Sequence, residues 1–204
     1  GKDIYISREN FAGARDEELV LVKIMNWGDE DKKPEGRVVQ VLGNPYDTDI
    51  MIDALILREG YSESFSKEVE KELQSIAGEI TTEDRKGRKD LTSLPIITID
   101  GDDAKDLDDA VYVEKLSNGN YKLLVSIADV SAYVKDGTAL DREAEKRGNS
   151  VYLVDRVIPM LPRKLSNGIC SLNPEEERLT FTAEVEIDSK GKRVNENMYK
   201  SIIK

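Results

Sequence analysis

The chain has 204 residues, 39% of them apolar and 35% charged, with a formal net charge of −11; this suits a rather polar globular protein of one medium domain or two small ones. No apolar stretch approaches the roughly 20 residues a membrane span needs, and the start, Gly1-Lys2-Asp3-Ile4, lacks a signal peptide's charged and apolar regions. The lone Cys170 cannot form an internal disulfide and no histidine is present, so a reducing cytoplasm is expected and Ser-His catalysis, Cys-His catalysis and His-containing zinc sites are excluded.

Short β-branched segments at residues 3–6, 19–25 and 36–42 read as strands, and three strands separated by polar loops suggest part of a small barrel. From Asp49 to Glu59 the apolar positions follow a helical period that Gly60 stops, and a second helix is expected from Ser66 to Ile76 with Phe65, Val69, Leu73 and Ile76 on one face. The stretch "TTEDRKGRKD", residues 81–90, has no apolar periodicity and reads as a linker and main domain boundary. Residues 94–99 then read as a buried strand. Residues 110–116 and 121–127 follow as two strands joined through Asn118-Gly119, the strongest short hairpin signal. A helix is expected over residues 138–147, with Thr138 as N-cap and Gly148 as its stop. Residues 151–154 read as a short strand. Residues 179–187 alternate with Leu179, Phe181, Ala183, Val185 and Ile187 on one face, and a last strand follows the turn at Asp188-Ser189-Lys190-Gly191. The fold class is α+β.

Between the segments at 94–99 and 110–116 lies "DGDDAKDLDD", with Asp100, Asp102, Asp103, Asp106, Asp108 and Asp109. An EF-hand is excluded from every start, because the fifth and sixth positions of the loop are never acidic residue and glycine together. Asp106 and Asp108 share a face of an extended backbone, while Asp109 points away unless the chain kinks. Four carboxylates aimed into one volume would repel strongly without a cation. Oxygen-only ligands suit Mg²⁺ or Mn²⁺ and the phosphoryl chemistry such ions serve. The residues alone leave two readings open, a divalent metal site or a solvated, charge-rich loop. Net charge argues against nucleic acid, yet residues 146–164 reverse the balance, with Lys146, Arg147, Arg156, Arg163 and Lys164 against Asp155 only.

"TIDGDDAKDLDDAV", "SIADVSAYV", "LDREAEKRGNSVYL" and "VIPMLPRKLSNGICSLNP", in this order, resemble the opening half of the RNB catalytic domain of the ribonuclease II / ribonuclease R exoribonucleases. The segment "GRKDLTSLP" leans toward the bacterial ribonuclease R branch, and residues 1–45 are similar to the later strands of its cold-shock, OB-type barrel. The resemblance implies a partial OB-like barrel at 1–45, a helical connector and charged linker at 46–90, and the N-terminal part of the RNB domain at 91–204. It also implies processive 3′-to-5′ hydrolysis of single-stranded RNA to nucleoside 5′-monophosphates with Mg²⁺, for which Mn²⁺ could substitute, and no obligate protein partner. The family's acidic positions fall on Asp100, Asp106, Asp108 and Asp109. Asp100 and Asp109 would be direct metal ligands, Asp106 would hold the ion or its waters, and Asp108 would complete the site or orient the attacking water. Asp102 and Asp103 fall where the family varies. Tyr152 falls on the tyrosine that contacts the 3′-terminal nucleotide, and Arg147, Arg156 and Arg163 are candidates for phosphate contact. The family's catalytic domain is longer than this chain, so a fragment is expected, either the aspartate-bearing part of a nuclease or, by itself, a catalytically silent RNA- or metal-binding module.

Overall fold

The structure, a computed structural model, describes residues 3–29, 31–102 and 104–204. The chain divides into two compact units, the first ending at Ser62 and the second running Glu63–Lys204.

In the first unit β1 (Tyr5–Ile6), β2 (Leu19–Asn26) and β3 (Glu35–Gly43) form an open three-stranded sheet in the order β1-β3-β2. β1 runs parallel to β3, with Tyr5 opposite Glu35, and β2 runs antiparallel to it. Gly36 leaves no room for a side chain: a Cβ there would stand 2.5 Å from the Val22 side chain. Helix α1 (Thr48–Arg58) follows, its N-terminus capped by the Asp47 side chain accepting from the Asp49 amide.

The second unit opens with α2 (Lys67–Ser75), capped by Ser66, and carries a five-stranded sheet in the order β4-β10-β9-β6-β5. Its strands are β4 (Lys89–Asp90), β5 (Asp109–Lys115), β6 (Tyr121–Ala128), β9 (Arg178–Ile187) and β10 (Arg193–Ile203). Only the edge pair β4–β10 is parallel. The β5–β6 hairpin turns through Gly119, whose φ of +86° suits glycine. Helix α3 (Ala139–Arg147) is capped by Thr138 and stopped by Gly148, as its sequence predicts. Strands β7 (Val151–Tyr152) and β8 (Val157–Ile158) make a separate short hairpin.

Two apolar clusters hold this unit. One gathers Val69 of α2, Leu140 of α3 and Leu161, Leu165, Ile169 and Cys170. The other lies against the sheet and gathers Leu91, Ala110, Leu124, Ala128, Leu172 and Ile203. Residues 170–172 pass from the first cluster to the second.

Three expectations are corrected. Residues 94–99 do not form a buried strand: only Ile97 bridges, to Val111, and both Ile97 and Ile99 are exposed. The 81–90 stretch does not hang free as a linker. Arg88 donates to Asp129 at 2.5 Å and to the Thr180 carbonyl at 3.2 Å, with both ion-pair side chains buried. Along β9 the apolar alternation does not mark the buried face throughout: Phe181 is exposed, whereas Thr180 and Thr182 are fully buried. Their hydroxyls meet those of Ser126 and Ser201 at 2.6–2.7 Å, and this mutual satisfaction lets polar side chains lie inside the sheet packing.

Candidate metal centre and cleft

The aspartate segment is a loop pinned at its C-terminal end. Leu107 turns its side chain toward the sheet-side cluster, and its carbonyl accepts from the Leu172 amide at 2.9 Å. Its own amide donates to Ser171 Oγ at 3.0 Å. The Asp108 carbonyl accepts from the Ala128 amide at 2.9 Å. A leucine packed against the core with both backbone groups satisfied thus fixes the carboxylates on either side of it, Asp106 and Asp108, at the mouth of β5.

Asp108 titrates above the ordinary carboxylate range. Partial desolvation is the largest cause, followed by the charges of Asp106, Asp109 and Asp100. The three other carboxylates singled out in the sequence therefore all act on Asp108. They do not converge into a closed cage: among the described residues no three acidic side chains are gathered closely enough to hold a metal ion as they stand. Asp109 is already the first residue of β5, opposite Ile127, so strand alternation turns it from the face that Asp108 takes. Asp102 is exposed, and Asp103 lies outside the described residues.

The donor types around Asp108 are all carboxylate oxygen, the kind a hard divalent cation takes. Mn²⁺ is accordingly expected to raise the thermal midpoint of this chain. At a hundredfold excess over Kd the gain is about 2.7 kcal/mol, or roughly 5 to 10 °C. A midpoint indifferent to millimolar Mn²⁺ in a differential scanning experiment would mean that the carboxylates do not close around the ion in this chain.

Tyr152, at the end of β7, donates its hydroxyl to Asp106 Oδ2 at 2.7 Å while the residue stays 65% exposed. This bond, before burial, raises the tyrosine's pKa. Asp106 and Tyr152 border a cleft of about 640 Å³ that Arg156, Arg163, Ser166 and Asn167 also line. Arg163 is exposed and donates to the Val157 carbonyl at 3.3 Å; Arg156 pairs with Asp155 and Glu63.

Arg147 has another setting. It stacks 3.9 Å over the Phe65 ring, pairs with Glu143, and donates to the carbonyls of Pro159 and Ser64. Lys164 donates to the carbonyls of Leu73 and Ile76 at the end of α2. Arg147, Arg156, Arg163 and Lys164 all hold protein groups, but only Arg156 and Arg163 also line the cleft, a distinction that charge counting alone does not make. Ser171 and Arg178 were not singled out by sequence reasoning. The signal for Ser171 was present, a hydroxyl inside the apolar run Ile169-Cys170-Ser171-Leu172.

Comparison with known proteins gives a consistent picture. Residues 88–204 match the RNB domain and residues 1–66 the cold shock domain. The chain is 50% identical over 204 residues to ribonuclease R of Thermotoga maritima and 41% identical over 201 residues to ribonuclease R of Escherichia coli. These alignments cover 99% and 98% of this chain, and 29% and 25% of the lengths of those relatives. Its fold matches RNase R of Mycoplasma genitalium, solved in complex with ribose-methylated single-stranded RNA, with a TM-score of 0.88 at 31% identity; the match covers 98% of this chain and 31% of that one.

Proposed function

Because this chain belongs to the RNB domain family, we propose that the whole protein is a processive 3′-to-5′ exoribonuclease that hydrolyses single-stranded RNA to nucleoside 5′-monophosphates with Mg²⁺. The observation that carries this reading is the join between Asp106 and Tyr152 at the mouth of the cleft, which sets an exposed aromatic ring beside the carboxylate cluster. The ring offers the 3′-terminal base a stacking surface indifferent to sequence. Arg156 and Arg163 line the same cleft and would meet the backbone phosphates behind that base. Asp100 and Asp109 would be the principal metal ligands, Asp106 is oriented by the Tyr152 hydroxyl, and Asp108 would orient the attacking water. The bound divalent ion would supply charge neutralisation at the scissile phosphate and a water acidic enough to attack it. A cytoplasmic setting suits this chemistry; among the described residues no helix is long and apolar enough to cross a membrane.

The open arrangement of the carboxylates favours a second reading for the chain by itself, that of a catalytically silent module with weak metal or RNA binding. End-labelled single-stranded RNA with Mg²⁺ separates the two. The whole protein is expected to release mononucleotides from the 3′ end and this chain none. Internal cleavage products, or intact RNA with the whole protein, would overturn the proposal.

Binding by this chain is expected to be weak and salt-sensitive. Replacing Arg156 and Arg163 together by alanine should flatten the plot of log affinity against log salt by about 0.7 for each phosphate that is no longer neutralised. Arg147→Ala should leave the slope unchanged and lower stability instead, because its guanidinium serves Phe65, Pro159 and Ser64. An unchanged slope in the double variant would place the phosphate-binding groups elsewhere.

A further inference from the structure

Ser171 is fully buried, and its hydroxyl is turned toward the aspartate loop rather than into either apolar cluster. The oxygen accepts from the Leu107 amide at 3.0 Å, and its single proton has two acceptors at 3.1 Å, the Lys105 carbonyl and Asn173 Oδ1. Both loop contacts fall on the residues flanking Asp106. The next residue adds a third, the Leu172 amide donating to the Leu107 carbonyl at 2.9 Å. Ser171 is itself held from behind: its carbonyl accepts from Arg178 Nε at 2.7 Å, and Arg178 is buried and also paired with Glu176.

Asp106, Asp108 and Asp109 stand within four residues of one another, and a run of like charges has every electrostatic reason to spread. A buried clamp opposes that spreading at the backbone, where it does not consume a carboxylate oxygen. We propose that Ser171 is a positioning residue which fixes the backbone of Lys105–Leu107 and so sets the Asp106 and Asp108 carboxylates for a divalent ion. The inference rests on the metal reading given under Proposed function. Groups that orient metal ligands from behind typically affect metal affinity by about 10–100-fold when removed, and Ser171 acts one step further back, through the peptide chain rather than through a ligand's own side chain.

The test uses the whole protein, with Mn²⁺ as the probe, followed by electron paramagnetic resonance, and with amide hydrogen exchange read at Leu107. Ser171→Ala is expected to weaken Mn²⁺ binding by about 10–100-fold and to remove the protection of the Leu107 amide. Ser126→Ala is the control, because it deletes another fully buried hydroxyl, bonded to Thr182 in the sheet interior. It should lower the thermal midpoint and leave both readouts where they are. Wild-type Mn²⁺ affinity in Ser171→Ala, or equal weakening in Ser126→Ala, overturns the inference and leaves the metal site standing. A wild-type protein that binds no Mn²⁺ overturns the metal site and the inference together. Should Ser171→Ala fail to fold, Ser171→Cys carries the test: its similar shape with a weaker hydrogen bond should still lower Mn²⁺ affinity, and undiminished affinity overturns the proposal.

Discussion

Asp108→Asn is expected to abolish RNA hydrolysis by the whole protein while leaving RNA binding intact or stronger. The substitution keeps the side chain's shape and removes one of the four charges that would hold the divalent ion, so the rate should fall more than the roughly 100-fold typical for losing a group that merely supports a ligand. Affinity for RNA should hold or rise, because a negative charge near the phosphates is gone. The metal-free fold provides an internal check. Asp108 titrates above its ordinary range in the folded chain, so its ionised form costs stability at neutral pH, and that cost is absent below the ordinary carboxylate range. A neutral amide at this position escapes the cost. Without metal the variant should therefore melt no lower than the wild type at neutral pH, and its midpoint should respond less to Mn²⁺. Near-normal cleavage by Asp108→Asn, measured in single-turnover assays, would reduce the aspartate cluster to a structural loop.

Asp129→Ala should destabilise the second unit by about 3–5 kcal/mol, because it strands a buried guanidinium. Arg88 and Asp129 retain side-chain exposures of 7% and 5%, and the carboxylate also accepts from Ser131 at 2.7 Å and pairs with Lys200 at 3.2 Å. Burial pushes the Asp129 carboxyl up, but the bonds from Ser131, Arg88 and Lys200 outweigh it and hold the group below its ordinary value of 3.8. The stability this provides is present above the ordinary carboxylate range and is lost as the pH falls through the lowered value. Thermal midpoints should therefore show a large deficit for Asp129→Ala at neutral pH that shrinks in acid. Replacing Arg88 and Asp129 together by apolar residues should recover much of the loss. If the single variant melted like the wild type, the 81–90 segment would be the loose linker its sequence suggests.

That segment illustrates where reading the sequence stops. Strands β2, β3, β5, β6 and β9 and the three helices were legible because each rests on a local signal: alternation, a capping residue, or Asn-Gly at a hairpin. The aspartate cluster was legible as chemistry for the same reason, since the ligand types are adjacent in the chain. What escaped depends on partners far away in sequence. Arg88 reads as one charge among many until Asp129, 41 residues on, is beside it. Thr180 and Thr182 read as the solvent face of a strand until Ser126 and Ser201 supply partners for their hydroxyls. The 94–99 run has a strand's composition, yet only Ile97 makes a strand bridge, to Val111, while Leu94 and Ile96 pack against the sheet-side core without pairing. Arg147 and Arg163 carry the same charge, and neither sequence neighbourhood names its partner. One finds an aromatic ring and two carbonyls, and the other lines the cleft.

The most direct measurement of whether the aspartate loop is a divalent-metal site is anomalous diffraction at the manganese edge from crystals of the whole protein grown with Mn²⁺. A single strong peak bounded by Asp100, Asp106, Asp108 and Asp109, close to the Tyr152–Asp106 hydrogen bond, is the expected result. Saturating Mn²⁺ with no peak among those four carboxylates would contradict the metal site, and with it the hydrolytic role drawn from it.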